Sequence, residues 1–229
     1  MPARPPWVDG GAIVLAAGRG VRFGADKRRA VLPSGLSLLA ATVQRYAEVF
    51  DQLLVMLRAG DTALAELLTP HLALPGQRLG YSARAAGGMG CTLADAITQV
   101  PDAWQFAFVA LGDMPFVTYT TLRRLQWTMA GPGSARARIV QPCHAGEPGH
   151  PVAFTRAFFP ALAALDADQG ARSVVQANQA AVQRVDIGDA GIVADVDTPA
   201  ALTASRANWV APLTRQAPPG RDAPLRDGA

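Results

Sequence analysis

Short runs of apolar residues alternate along this chain with segments in which apolar side chains recur at helical spacing. The runs at residues 12–16, 53–57 and 106–111 contain only apolar residues, which is typical of strands buried on both faces of a parallel sheet. Further strands are predicted at residues 139–140 and 182–187, and helices at residues 38–50, 62–72, 92–100, 118–129, 155–165, 170–177 and 199–208. The alternation predicts an α/β fold of three layers, α/β/α, with a mostly parallel sheet.

No linker divides the predicted elements, so we expect one domain over residues 11–208, with an N-terminal extension at residues 1–10. Residues 209–229 are rich in Pro, Arg, Asp and Gly and lack apolar periodicity, which predicts a disordered tail. Asp61 precedes the predicted helix at residues 62–72 and is a predicted N-cap for it.

Composition narrows the function classes. Half of the residues are hydrophobic, but no apolar run is long enough to span a bilayer and the first ten residues contain no signal core. Two cysteines, Cys91 and Cys143, make neither a disulfide framework nor a zinc site. A net charge of +3 helps to hold phosphates but is not a nucleic-acid signature. We therefore expect a cytoplasmic protein with no membrane or nucleic-acid partner.

The first predicted strand runs into a glycine-rich segment at residues 18–24, which also carries Arg22 and is followed by Lys27. Glycines let the backbone turn its N–H groups toward an anion, and arginine and lysine add charge that a triphosphate needs. The segment has neither the Walker spacing nor the acidic residue that accompanies a dinucleotide-binding fingerprint. Two interpretations follow from these residues: a triphosphate site, or an ordinary strand-to-helix turn with solvated basic side chains. Likewise, glycines before the predicted helix at residues 92–100 indicate either an anion site at a helix N-terminus or a capped helix.

Carboxylates follow two of the predicted elements. Asp113 comes directly after the apolar run at residues 106–111, and ligands of α/β sheets gather at the carboxyl ends of strands. Asp195 and Asp197 are two residues apart, a spacing that puts both side chains on one face of an extended segment. A hard cation such as Mg²⁺ prefers such oxygens beside substrate phosphates. The alternative is that these residues only cap turns and a helix.

Several segments together resemble one family. The letters L-A-A-G-R-G-V-R-F-G at residues 15–24, with Lys27, resemble the signature of the molybdenum cofactor cytidylyltransferases, a MobA/MocA-like group of GT-A-like nucleotidyltransferases. Matching segments follow in the family's order, at residues 87–93, 111–116, 149–151, 168–172 and 195–199. Gly90 and Cys91 stand where the family usually has serines, and Arg28 and Arg29 where it tends to have apolar residues.

The resemblance implies a Rossmann-like GT-A fold and a role for each matching residue. It implies catalytic roles for Lys27, Arg22 and Asp113. It implies nucleotide binding by Leu15, Ala16, Ala17, Gly18, Arg19, Gly20, Arg22, Lys27, Gly88 and Met89. A Mg²⁺ or Mn²⁺ ion is expected on Asp113, Asp197 and Asp195, and acceptor binding on Gly149, His150, Pro151 and Arg172. Without the resemblance, His150 would be interpreted as a structural histidine and Arg172 as a solvated helix residue.

The implied reaction joins a nucleoside monophosphate to the phosphate of molybdopterin and releases pyrophosphate. Ala17 favours CTP, because the cytidylyltransferase branch resembles L-A-A-G here while the guanylyltransferase branch usually shows L-A-G-G. The prediction is therefore transfer of CMP from CTP to molybdopterin, with a molybdoenzyme as a further partner that receives the cofactor. The alternatives are a guanylyltransferase, another nucleotidyltransferase acting on sugar or alcohol phosphates, or a non-catalytic chaperone for the molybdenum cofactor.

Overall fold

A computed structural model of the chain describes residues 9–18, 26–131 and 138–196. Its strands are β1 (Gly10–Leu15), β2 (Leu53–Arg58), β3 (Gln77–Ser82), β4 (Phe106–Leu111), β5 (Ile139–His144), β6 (Glu147–Pro148), β7 (Val152–Thr155) and β8 (Val182–Asp186). Its α-helices are α1 (Leu38–Ala47), α2 (Thr62–Leu68), α3 (Met89–Ile97), α4 (Tyr119–Ala130), α5 (Phe159–Ala163) and α6 (Arg172–Ala177). Residues 1–8 of the predicted extension at residues 1–10, the predicted helix at residues 199–208 and the predicted tail lie outside the described residues, and β1 already begins at Gly10.

The strands form one mixed sheet in the order β3-β2-β1-β4-β7-β5-β6, and β8 pairs with β5. Strands β3, β2, β1 and β4 are parallel to one another, whereas β7 runs antiparallel to both β4 and β5. Strand β8 is parallel to β5, and the short β6 is antiparallel to it. The predicted mostly parallel sheet is confirmed, because among the described strands only β6 and β7 oppose the direction of the others.

Two apolar cores lie on opposite faces of the sheet. In β1, alternate residues face opposite ways: Ala12 and Val14 belong to the first core, and Ile13 and Leu15 to the second. Helices α1, α2 and α4 cover the first core, and α3, α5 and α6 cover the second. The central strands are buried on both sides, which is why their sequences are apolar throughout except for Arg58 at the end of β2. This arrangement confirms the predicted three-layer α/β/α fold.

Three strands were not predicted: β3, β7 and the two-residue β6. β3 has the polar sequence Q-R-L-G-Y-S and lies at an end of the sheet, where Arg78 and Tyr81 are exposed. Its strand conformation depends on pairing with β2 and not on an apolar run of its own. β7 ends at Thr155, the residue at which the predicted helix at residues 155–165 was expected to begin. In place of that helix, the chain forms a 3₁₀ turn at Arg156–Phe158 followed by the short helix α5. Helix α3 begins at Met89, three residues before the predicted start.

The N-terminus of α4 has a side-chain cap, whereas the residue predicted to cap α2 makes no hydrogen bond to that helix. The Thr118 hydroxyl accepts a hydrogen bond from the N–H of Thr121 and caps α4. Asp61 does precede α2, but its carboxylate accepts no bond from that helix, because it is bound to Arg28 and Arg58. Both cysteines are buried and free of disulfides. None of the helices in the described ranges is both long and apolar enough to cross a membrane.

Candidate active site

A cavity of about 590 Å³ opens at the carboxyl ends of β1 and β4. These strands are parallel and Leu15 pairs with Leu111, so both chains leave the sheet at the same edge. The cavity therefore lies where ligands of such sheets collect. The predicted site residues that line it are Leu15, Ala16, Ala17, Gly18, Lys27, Gly88, Met89, Asp113 and Asp195.

An ion pair joins Lys27 to Asp113 in this cavity. The Lys27 Nζ donates to Asp113 Oδ2 at 2.6 Å, and the two side chains are only 14% and 19% exposed. Lys27 comes from a 3₁₀ turn, Lys27–Arg29, and Asp113 from the turn after β4. The second carboxylate oxygen, Asp113 Oδ1, is buried and accepts no hydrogen bond from the described part of the chain. The site thus contains a cation beside a carboxylate oxygen that has unused coordinating capacity.

The segment before residue 197 brings a second carboxylate to this place. The backbone N–H of Val196 donates to the Asp113 carbonyl oxygen at 3.1 Å. The Val196 side chain is fully buried in a small cluster with Leu32 and Leu38, which anchors the segment. Asp195 is exposed and lines the cavity, as predicted for a residue beside Asp113. The predicted residues Arg19, Gly20, Arg22 and Asp197 lie outside the described residues.

The glycine-rich segment before α3 forms another wall, and the first two N–H groups of the helix are bonded within the chain, in agreement with the capped-helix interpretation. Asp168 Oδ1 accepts the N–H of Met89 at 3.0 Å, and the Ala167 carbonyl oxygen accepts the N–H of Gly90 at 2.9 Å. Gly88 has a φ of +105°, and a Cβ there would lie 2.6 Å from Asp168 Oδ1. Asp168 lines the cavity, and the sequence had assigned it no role although it lies in a segment that resembles the family.

The four predicted acceptor residues are structured but do not line the cavity. The backbone N–H groups of Gly149 and His150 donate to the carbonyl oxygens of Pro142 and Ile192. Burial lowers the pKa of His150, and the Val109 carbonyl oxygen and the charges of Asp113 and Asp195 oppose this only in part. The imidazole is therefore neutral at neutral pH. Arg172 is exposed at the start of α6.

One arginine, Arg28, lines the cavity without having been predicted to do so. Arg28 is 4% exposed and is hydrogen-bonded to Asp26, Asp61 and the carbonyl oxygen of Ala16. One feature of the sequence could have drawn attention to Arg28: it stands where the family tends to have an apolar residue.

A family comparison agrees with this geometry. The chain belongs to the family of the MobA-like NTP transferase domain, whose model matches residues 12–187. It is therefore a nucleotidyltransferase, and the predicted enzyme class is confirmed.

Three individual proteins illustrate the similarity. Rv0371c from Mycobacterium tuberculosis H37Rv is 26% identical with a TM-score of 0.68, over 86% of this chain and 96% of that one. Another structure of Rv0371c, a complex with manganese, has 26% identity and a TM-score of 0.63 over 78% of this chain and 88% of that one. Molybdopterin-guanine dinucleotide biosynthesis protein A from Archaeoglobus fulgidus shares the fold, with 18% identity, a TM-score of 0.64 and coverage of 86% and 97%. The bifunctional protein GlmU of Gluconacetobacter diazotrophicus is 31% identical over 128 residues, which are 54% of this chain and a quarter (25%) of that protein.

Proposed function

We propose that this nucleotidyltransferase transfers CMP from CTP to a molybdopterin-type acceptor and releases pyrophosphate. The observation that carries the proposal is the Lys27–Asp113 ion pair inside a cavity that the L-A-A-G segment at the end of β1 also lines. The similarity to a molybdopterin-guanine dinucleotide biosynthesis protein supports the acceptor class. The resemblance of Ala17 to the cytidylyltransferase pattern supports the base.

The proposed reaction is an in-line displacement at the α-phosphorus of CTP. An oxygen of the acceptor phosphate forms the new P–O bond while the bond to the β-phosphate oxygen breaks, and pyrophosphate takes the electron pair. The Lys27 ammonium, which is paired with Asp113 in the free protein, stabilises the negative charge that grows on the leaving group. The resemblance assigns Arg22 the same function. No covalent enzyme intermediate is needed, since positioning and electrostatics supply the rate.

The carboxylates fit a divalent cation. Asp113 Oδ1 is a buried oxygen with no hydrogen-bond donor in the described ranges, and carboxylate oxygens are the ligands that Mg²⁺ and Mn²⁺ prefer. We propose Asp113 and Asp195 as ligands, together with Asp197. A cation held by these carboxylates would neutralise part of the negative charge of the phosphate groups. The manganese complex of Rv0371c supports a divalent ion in this type of protein.

Acceptor binding is proposed for Gly149, His150, Pro151 and Arg172. Since the lowered pKa of His150 keeps its imidazole uncharged, we assign the attraction of an anionic acceptor to the exposed guanidinium of Arg172. The carboxylates of Asp113 and Asp195 act electrostatically on His150. Because the His150 ring is uncharged, it does not repel a cation that binds these carboxylates.

The deciding experiment is pyrophosphate release from CTP, GTP, ATP and UTP in parallel, each with molybdopterin and with Mg²⁺ or Mn²⁺. We expect the highest kcat/KM with CTP. A preference for GTP would make the chain a guanylyltransferase, the second candidate, which the similarity to the Archaeoglobus fulgidus protein favours. Turnover only with a sugar phosphate in place of molybdopterin would contradict the proposed acceptor. Binding of molybdopterin without pyrophosphate release from any nucleotide would indicate the chaperone.

A further inference from the structure

Arg28 is a buried cation whose hydrogen-bonding capacity is fully used within the protein. A guanidinium has five N–H donors. Its Nε donates to Asp26 Oδ1 at 2.8 Å and its Nη2 to Asp26 Oδ2 at 2.8 Å. Nη1 donates to Asp61 Oδ2 at 2.5 Å and Nη2 to Asp61 Oδ1 at 3.1 Å. The fifth bond runs from Nη1 to the Ala16 carbonyl oxygen at 2.8 Å.

These bonds connect three parts of the chain that surround the cavity. Ala16 begins the turn after β1, Asp26 begins the 3₁₀ turn that carries Lys27, and Asp61 precedes α2. The glycine-rich segment lies between the first two, so Arg28 ties together the chain before and after it. Arg58, at the end of β2, also donates to Asp61 and makes the cluster electrically balanced, with two carboxylates and two guanidinium groups.

We propose that Arg28 is a positioning residue, which holds Lys27 and the turn at Ala16 in the geometry that nucleotidyl transfer requires. The inference rests on the role proposed above for Lys27. Arg28 lines the cavity, but direct binding of a phosphate would require it to give up a bond to a carboxylate or to Ala16. Its neighbour Lys27 is held by the same turn, and a displacement of about 1 Å in a catalytic group costs as much as 100-fold in rate.

Three variants distinguish positioning from direct phosphate binding. Arg28→Met removes all five bonds at similar volume, Arg28→Lys keeps the charge without the planar fork, and Asp61→Asn removes one partner while leaving Arg28 in place. A positioning role predicts that kcat for pyrophosphate release falls by about 10- to 100-fold in Arg28→Met, that Arg28→Lys fails to restore it, and that Asp61→Asn lowers it too. Direct binding predicts instead that Arg28→Lys keeps most of the rate, that Asp61→Asn does not lower kcat, and that KM for the nucleotide carries the change.

Two controls separate positioning from stability. Arg29→Ala changes the exposed neighbour in the same turn and is expected to leave kcat within about two-fold of wild type. Leu125→Ala removes a fully buried side chain of α4 and lowers Tm without touching the cavity wall. All variants are assayed well below their measured Tm. If Leu125→Ala lowers kcat as much as Arg28→Met at an equal loss of Tm, Arg28 is only structural and the inference is overturned.

The Lys27→Ala background tests whether Arg28 acts through Lys27. Adding Arg28→Met to Lys27→Ala is expected to cost less than about two-fold in kcat, because the group to be positioned is already absent. Full activity in Lys27→Ala would overturn the proposed role of Lys27 itself. Loss of activity in Lys27→Ala together with wild-type kcat in Arg28→Lys and Asp61→Asn would overturn the inference on Arg28 alone. If Arg28→Met does not fold, the kcat values of Arg28→Lys and Asp61→Asn still test the positioning role of Arg28.

Discussion

Lys27 and Asp113 are 86 residues apart in the sequence, and only the fold brings their charges to 2.6 Å. In a partly buried place the attraction between them is stronger than in water, because less solvent screens it. The pair therefore keeps both side chains at the cavity before any substrate arrives. In the proposed reaction, a triphosphate would offer Lys27 other oxygens and would make the Asp113 carboxylate available to a cation.

At the residue scale, Asp113→Asn is expected to lower kcat for pyrophosphate release by about 100- to 1000-fold, the usual cost of removing one preorganised electrostatic group. The measurement is steady-state turnover with CTP, molybdopterin and Mg²⁺ or Mn²⁺. Asp51→Asn changes an exposed carboxylate away from the cavity and is the matched control. A wild-type rate in Asp113→Asn would show that the carboxylate does not act in the reaction.

Lys27→Met is expected to lower kcat/KM for the nucleotide by a similar factor of about 100 to 1000, since the leaving pyrophosphate loses its cation. Lys27→Arg keeps the charge and should recover part of this loss. Equal activity of the Met and Arg variants would contradict an electrostatic role. Isothermal titration with CTP distinguishes weaker binding from slower chemistry.

At the scale of elements, two carboxylates tie α3 and the turn before it to other parts of the chain. Asp168 accepts the first N–H of α3, while Asp95, within α3, binds Ser82 and Arg84. Gly88 lies between these contacts with a φ that a residue with a Cβ rarely adopts. The wall of the cavity that this turn forms is thus fixed from both sides.

Asp168→Ala is expected to lower the free energy of unfolding by about 1 kcal/mol, the usual cost of losing a helix cap. It should also raise KM for the nucleotide, because Met89 and Gly88 line the cavity. Urea unfolding and steady-state kinetics provide the two measurements. Asp166→Ala, two residues earlier and exposed, is the control and should change neither. If Asp168→Ala changed neither the free energy of unfolding nor KM, the Asp168 cap would not stabilise this wall of the cavity.

Asp95 predicts a pH dependence. Burial raises its pKa, but hydrogen bonds from Ser82 and Arg84 outweigh this effect and hold the pKa below its ordinary value of 3.8. A carboxylate with a lowered pKa stabilises the fold above its ordinary pKa, and this contribution is lost as the pH falls through the folded-state value. Asp95→Asn should therefore cost about 1 kcal/mol at neutral pH and progressively less under acid conditions.

Urea unfolding of wild type and Asp95→Asn, at neutral pH and again below the ordinary pKa of aspartate, measures this difference. Asp102→Asn is the control, because Asp102 is fully exposed and its ion pair with Arg156 is screened by solvent. A difference between wild type and Asp95→Asn that stayed constant with pH would contradict the role of the charged form.

At the scale of the whole molecule, the cavity joins elements from distant parts of the sequence. Its walls come from the ends of β1 and β4, the turn before α3, and the segments that contain Asp168 and Asp195. A ligand that binds only this assembled site stabilises the folded protein by mass action, by about 2.7 kcal/mol at 100 times its Kd. Nucleotide binding should therefore be visible in the Tm of the entire chain.

CTP with Mg²⁺ or Mn²⁺ is expected to raise Tm more than GTP, ATP or UTP at equal concentration. The increase should be largely absent in Lys27→Met, and Arg29→Ala should keep it. Differential scanning fluorimetry measures these shifts. Equal shifts with all four nucleotides would contradict selection for cytosine, and no shift with any of them would contradict nucleotide binding in the cavity.

The sequence by itself determined the layered α/β fold and the two groups that meet in the cavity. Strands β1, β2 and β4 are recognisable because each is buried on both faces, so burial leaves an uninterrupted apolar run. Asp113 is recognisable because it follows such a run, at the edge where ligands of these sheets bind. Lys27 is recognisable because it completes a glycine-rich signature.

The tertiary structure decided which partners the remaining polar groups take. Nothing local to Arg28 predicts its bond to Asp61, 33 residues away, and nothing local to Met89 predicts its cap by Asp168, 79 residues away. Strand β3 likewise depends on β2, since its own sequence is half polar. The physical reason is the same in each case: a buried polar group requires a partner, and the packing of distant elements determines which one lies within reach.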